Sequence, residues 1–142
     1  MLIRNASAVW EGGLKDGAGR VATGSGNCEG RYTAASRFEN AEGTNPEELI
    51  GAAHAGCFSQ ALSLTLEKAG FKPERIETEA RVHLEKTSDG YAITRIKLNT
   101  RARVPDIPES TFLSEAETAK QTCPVSQALK AIDITLEARL ES

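Results

Sequence analysis

The chain has 142 residues and a formal net charge of −3 at pH 7, with three cysteines and one tryptophan. That length accommodates one domain with a real core and would cramp two, so a single domain over residues 1–142 is expected. The mildly acidic balance and the absence of a basic stripe argue against nucleic acid or a membrane surface as partner.

The N-terminus, MLIRNASAVWEGG, lacks a basic region followed by an apolar segment, so no secretory signal is expected. A chain that stays in the cytoplasm keeps its cysteines reduced at rest, outside any stabilising disulfide framework. Residues 2–10 alternate, with Leu2, Ala6, Ala8 and Trp10 on one side, which predicts a strand. Glu11-Gly12-Gly13 turns the chain, and Leu14 onward is expected to return as a hairpin. Gly17-Ala18-Gly19 is a second breaker before a short strand at Arg20–Thr23, and Arg31–Phe38 reads as a further strand. The first third is therefore expected to form a small antiparallel meander.

From Gly43 to Gly70 the chain reads as one long helix. Thr44 or Asn45 suits the N-cap, Pro46 the first turn, and Glu47 or Glu48 the positive end. Lys68, Gly70 and Pro73 mark the stop. Leu49, Ile50, Ala52, Ala53, Ala55, Gly56, Cys57, Phe58, Ala61, Leu62, Leu64 and Leu66 place apolar or small residues on nearly every face, which predicts a helix buried all round. Glu, His and Gln interrupt it, so no run long and apolar enough to span a bilayer is expected.

After the helix, Ile76, Thr78, Ala80, Val82 and Leu84 alternate with charged neighbours in a half-buried strand. Ser88-Asp89-Gly90 signals a hairpin turn. In the run Tyr91–Val104 the apolar phase changes from odd to even positions, which calls for a bulge near Thr94–Arg95. A second helix starts near Ser110, with Phe112, Ala116, Ala119 and Cys123 on one face. Pro124 interrupts it, Val125–Ala131 can resume as a short helix, and Ile132 to Leu140 alternate as a last strand. Strands, helix, strands, helix, strand is an α+β order.

Two cysteines, Cys57 and Cys123, sit on apolar helical faces. Each reads equally well as a small buried hydrophobe or as half of a redox couple. A reactive Cys57 must ionise, and it lies about 15 Å along the axis from Glu47, too far for the helix dipole to help. A cation is needed, and Arg37 in SRFE, held by Glu47 or Glu48, is one candidate; an exposed strand residue is the plainer reading. Cys123, just before Pro124, stands at a helix N-terminus, whose N–H groups favour a thiolate. His54-x-x-Cys57 puts two potential metal ligands on one face, but no second paired spacing supports zinc, and His54 reads as packed or hydrogen-bonded near the thiol. Ser59, Ser63 and Ser126 have no serine-hydrolase context, Gly24-Ser25-Gly26 no phosphate-loop context, and Cys28 sits in a polar loop without a neighbour.

GTNPEELIGAAHAGCFSQALSLTLEKAGF, with TCPVSQALKA far downstream, resembles the osmotically inducible protein C branch of the OsmC/Ohr family, as do AVWEGGLKDGAGRVAT, SRFE and DGYAITRIKL. The resemblance covers essentially the whole chain. It implies a cytoplasmic, intertwined α+β homodimer, with antiparallel sheets wrapped around two long central helices. It also implies a cysteine-based peroxidase for organic hydroperoxides, and for hydrogen peroxide less well, with no metal or other cofactor. By the same resemblance Cys57 matches the peroxidatic cysteine and Cys123 the resolving one. Glu47 matches the acidic residue that holds the active-site arginine, and Arg37 that arginine. Leu49, Ile50 and Phe58 would then shape a pocket for an alkyl chain. An external dithiol, such as a lipoylated protein or dihydrolipoamide, would reduce the Cys57–Cys123 disulfide. Gly56 departs from the family, where Ala is more usual. Two rival readings are a stress sensor or apolar-ligand carrier that uses the same thiols without turnover, and a zinc-stabilised structural protein.

Overall fold

The computed structural model describes residues 1–142 and divides into two units, Met1–Leu49 and Ile50–Ser142. In the first unit the expected meander forms from β1 (Ala6–Glu11), β2 (Ala18–Thr23) and β3 (Glu29–Tyr32), antiparallel in the order β1-β2-β3. Trp10 and Tyr32 meet as a tilted pair with centroids 5.2 Å apart. Gly19 makes this possible: a Cβ there would lie 2.6 Å from the Tyr32 ring and 2.7 Å from the Trp10 ring.

The strand expected over Arg31–Phe38 ends at Tyr32, and α1 (Ala34–Phe38) takes its place. The reason is local. The Thr33 hydroxyl accepts from the Ser36 N–H at 3.0 Å, and the Ser36 hydroxyl accepts from the Thr33 N–H at 2.9 Å. This reciprocal cap satisfies two N–H groups that a lone strand would leave to water. Ser36 Oγ also donates to the Thr44 carbonyl at 2.7 Å, and Asn45 Nδ2 donates to the Ser36 carbonyl at 3.2 Å. The short helix is thereby tied to the start of α2 (Pro46–Lys68). Asn45 is the cap of that helix, its Oδ1 accepting from the Glu48 N–H at 2.8 Å.

In the second unit α2 stops as its sequence predicts. Gly70 has φ +94°, its N–H reaches the Glu67 carbonyl, and the Phe71 N–H reaches the Leu66 carbonyl at 2.9 Å. These are the two bonds of a Schellman stop. The strands β4 (Arg75–Thr87) and β5 (Gly90–Arg103) pair antiparallel. Their register shifts where His83 faces Arg95 and Leu84 faces Ile93, leaving Thr94 as the extra residue of the expected bulge. Helices α3 (Glu109–Thr122) and α4 (Pro124–Ala128) then lead to β6 (Asp133–Glu141).

Two expectations change here. The second sheet is mixed, not antiparallel: in the order β4-β5-β6, β6 runs parallel to β5. A strand reached through a helical crossover returns in the direction of the one it left, and α3 with α4 is that crossover. The long helix is also not covered on every side. Gly51, His54, Phe58, Leu62 and Leu66 form its buried stripe, while Ala52, Ala53, Gly56, Gln60 and Leu64 are exposed. One sheet covers only one face of a helix. By length and composition alone α2 is long and apolar enough to cross a membrane, more so than its interruptions suggest. In the fold its buried stripe joins Ile96, Leu98, Phe112, Ala116 and Ala119 in one hydrophobic core.

Candidate active site

Cys57 sits in the middle of α2, on the flank of its buried stripe, half-buried against the core. Cys123 is fully buried and ends the face that Phe112, Ala116 and Ala119 present on α3. It serves as C-cap of α3 and N-cap of α4 at once, with φ −55° and ψ 124°. Pro124 breaks the helix at that point, and this break turns the Cys123 sulfur toward α2. The two free thiols are neighbours there, and Cys123 and the Val125 backbone both act on the Cys57 thiol. Cys28, in its polar loop, is exposed.

The electrostatics differ from the sequence expectation. Burial pushes the Cys57 thiol up from its ordinary value, and the bond with Cys123 pushes the same way. The Val125 backbone pulls it back down, because an N–H dipole favours the thiolate. The helix-terminal N–H anticipated as support for Cys123 is thus aimed at Cys57.

In the first unit, Arg37 and Glu47 form a two-pronged ion pair. Arg37 Nε donates to Glu47 Oε1 at 3.0 Å and Arg37 Nη2 to Oε2 at 2.8 Å. The Arg37 guanidinium also lies 5.3 Å from the Phe38 ring centroid. The Glu47 hydrogen bonds and charge hold the guanidinium pKa above its ordinary value. Glu47 is almost fully buried, while over a third of the Arg37 side chain is exposed. Arg37 is therefore a helix residue clamped by a carboxylate. The expectation that Glu47, of the two candidate acids, holds Arg37 is met; Glu48 instead accepts from the Thr44 hydroxyl at 2.7 Å.

None of the three expected pocket residues, Leu49, Ile50 and Phe58, lines the groove beside Cys57 within the single chain. Phe58 is fully buried in the core, Ile50 packs against that core, and Leu49 is half-buried in the first turn of α2. The 3.6-residue period turns Phe58 into the core. The cleft at Cys57 is a groove of ≈ 690 Å³ between α2 and α3, lined by Ala61, Leu64, Thr65, Lys68 and Pro124 among others. Its walls are mainly apolar near the thiol, with Lys68 and Glu115 farther along.

Two further residues lie behind the thiols, outside the groove, and were missed as a pair. His54 is fully buried, and its Nε2 lies 2.8 Å from Ser126 Oγ. Burial holds the imidazole pKa below its ordinary value, so the ring is neutral. The signal in the sequence was one of spacing: His54 precedes Cys57 by one helical turn, and Ser126 follows Cys123 by the same interval. No cluster of three metal-ligating side chains forms around them.

Comparison with known proteins shows what the chain is similar to. Residues 39–137 match the family model described as OsmC-like protein. The chain is 52% identical to peroxiredoxin OsmC of Escherichia coli (strain K12) over 140 residues, covering 98% of this chain and 97% of that protein. It is 28% identical over 130 residues to the organic hydroperoxide resistance protein of Xanthomonas axonopodis pv. citri, covering 81% and 89% of the two chains. In fold it superposes on the crystal structure of an OsmC-like protein from Mycoplasma pneumoniae with a TM-score of 0.79, 15% identity and 99% of both chains covered. Family model, near-full-length identity and shared α+β fold agree, and the chain belongs to the OsmC-like family.

Proposed function

We propose that this protein is a thiol peroxidase that reduces organic hydroperoxides, and hydrogen peroxide less well, in oxidative or osmotic stress defence. The observation that carries the reading is a Cys57 thiol that lines a largely apolar groove and has the buried Cys123 thiol as its neighbour. The names of the relatives, a peroxiredoxin and an organic hydroperoxide resistance protein, support it.

The Cys57 thiolate attacks the terminal oxygen of ROOH, the O–O bond breaks, and the leaving alkoxide takes a proton to give ROH. Cys57 is left as a sulfenic acid. The Cys123 thiol then displaces the hydroxyl as water, and the two sulfurs join. An external dithiol, for which a lipoylated protein or dihydrolipoamide is the suggested donor, reduces the disulfide and resets both thiols. Because burial holds the Cys57 thiol up, a nearby charge must favour its ionised form. Arg37, oriented by Glu47, is the cation proposed for this task and for steadying the developing alkoxide.

The working form is proposed to be a cytoplasmic homodimer in which residues 1–142 act as one OsmC-like domain. The exposed stripe of Ala52, Ala53, Gly56 and Leu64 supports a second copy on this side of α2, since small residues let helices approach closely. Laid there, a second helix would also roof the groove. The reading is tested by steady-state turnover of cumene hydroperoxide with dihydrolipoamide. Wild type should consume many equivalents and Cys57→Ser none, while Cys123→Ser should give one burst followed by overoxidation. Turnover by Cys57→Ser would end the proposal, and a wild type that reacts only once per chain would make the protein a sensor.

A further inference from the structure

The two cysteines are carried by unlike elements. Cys57 is held in the middle of a 23-residue helix, where its backbone is fixed on both sides. Cys123 sits at a break, and the helix after it, Pro124–Ala128, has only five residues. A helix that short has no stability of its own. Its orientation must come from what it touches.

One hydrogen bond between side chains joins α4 to α2, that between Ser126 Oγ and His54 Nε2 at 2.8 Å. Both residues are buried, His54 completely. The other imidazole nitrogen, Nδ1, is buried without a partner. A lone pair left unmet costs less than an N–H left unmet, so the proton belongs on Nε2, which donates to the Ser126 hydroxyl. The bond is directional where an apolar contact would let α4 slide or roll. Its place matters: His54 lies three residues before Cys57 and Ser126 three after Cys123, so the polar tie bridges the same two elements that carry the thiols. The Val125 N–H that reaches Cys57 belongs to this same turn of α4.

We propose that the His54–Ser126 hydrogen bond is a latch that holds the Cys123 turn in register with Cys57, making His54 and Ser126 positioning residues for disulfide formation. The inference rests on the peroxidase reading. The latch leaves the first step alone: ROOH still converts the Cys57 thiolate to sulfenic acid and ROH. It governs the second, in which the Cys123 thiol displaces water from that sulfenic acid. When Cys123 is poorly aligned, a second molecule of ROOH oxidises the waiting sulfenic acid to sulfinic acid and is itself reduced to ROH.

The experiment measures how oxidised protein divides between Cys57–Cys123 disulfide and Cys57 sulfinic acid, by intact mass, across a series of cumene hydroperoxide concentrations. Wild type is compared with Ser126→Ala and with the double variant His54→Leu/Ser126→Ala. The single change strands a buried imidazole. The double change removes both polar groups and so restores packing without restoring the tie. Both variants should show the wild-type rate of initial thiol loss, with the sulfinic fraction raised about fivefold; that change equals about 1 kcal/mol at 1.4 kcal/mol per tenfold. A double variant that divides its products as wild type does would overturn the latch, because a purely structural role is repaired in that protein. A wild type that forms no disulfide with hydroperoxide would overturn both the latch and the peroxidase reading.

Discussion

Replacing Arg37 by alanine removes both hydrogen bonds to Glu47, at 2.8 and 3.0 Å, and leaves a carboxylate whose side chain is only 9% exposed without its counter-charge. Breaking a fully buried pair in this way costs about 3–5 kcal/mol. Exposed pairs contribute about 0–1 kcal/mol. Arg37 is 37% exposed, which places this pair between the two, at a coupling of about 2 kcal/mol. In a chain of 142 residues that corresponds to a fall in Tm of about 7 °C. The assay is a double-mutant cycle of urea melts on wild type, Arg37→Ala, Glu47→Gln and both together, all at one protein concentration because assembly would shift the midpoint. Arg37→Ala should be costly alone and nearly neutral once Glu47 is Gln. In the turnover assay Arg37→Ala and Glu47→Gln should both lower kcat/KM, and the alkylation of Cys57 at neutral pH should slow in Arg37→Ala. Additive stabilities within about 0.5 kcal/mol would show that the carboxylate does not hold the arginine, and the reasoning that assigns Glu47 an orienting role would fail.

The buried imidazole gives a pH signature. His54 has its folded-state pKa lowered from 6.5 by burial, so below pH 6.5 the unfolded chain takes up a proton that the folded chain refuses. Stability contributed by the neutral ring is therefore full above that value and is lost as pH falls toward the folded value, by at most about 1.4 kcal/mol per pH unit. Wild type should lose stability between pH 7.5 and 5.5 relative to His54→Leu/Ser126→Ala, and parallel pH profiles in urea melts would refute the assignment. On the exposed face of α2, Leu64→Glu should shift sedimentation from dimer toward monomer at micromolar concentration, and an unchanged sedimentation coefficient would move the proposed interface elsewhere.

Much of this architecture was legible in the residues. Asn45, Pro46, Gly70 and the strict alternation from Ile76 to Leu84 act locally, and the elements they mark are present. The bulge was legible for the same reason, because a change in apolar phase leaves no other solution for a strand with one buried face. What escaped depends on partners distant in sequence. RYTAASRF supports a strand or a capped turn, and the reciprocal bonds of Thr33 and Ser36 decide it. The direction of β6 depends on how its crossover lies on the sheet, which no alternation of residues encodes. An apolar composition all round α2 does not say which chain covers which face. At the site, motif resemblance pointed to Cys57, Cys123, Arg37 and Glu47, but Ser126 was weighed only as a hydrolase serine and its tie to His54 spans 72 positions.

The break at Pro124 has a mechanical consequence. A sulfur seated mid-helix can swing only about its side-chain torsions, since its Cα is bound into the backbone ladder before and after it. A sulfur on a non-helical residue between two helices rides on a joint. If the sulfurs must travel to join, that joint is where the backbone can give, because the His54–Ser126 bond holds the five-residue α4 to the long helix.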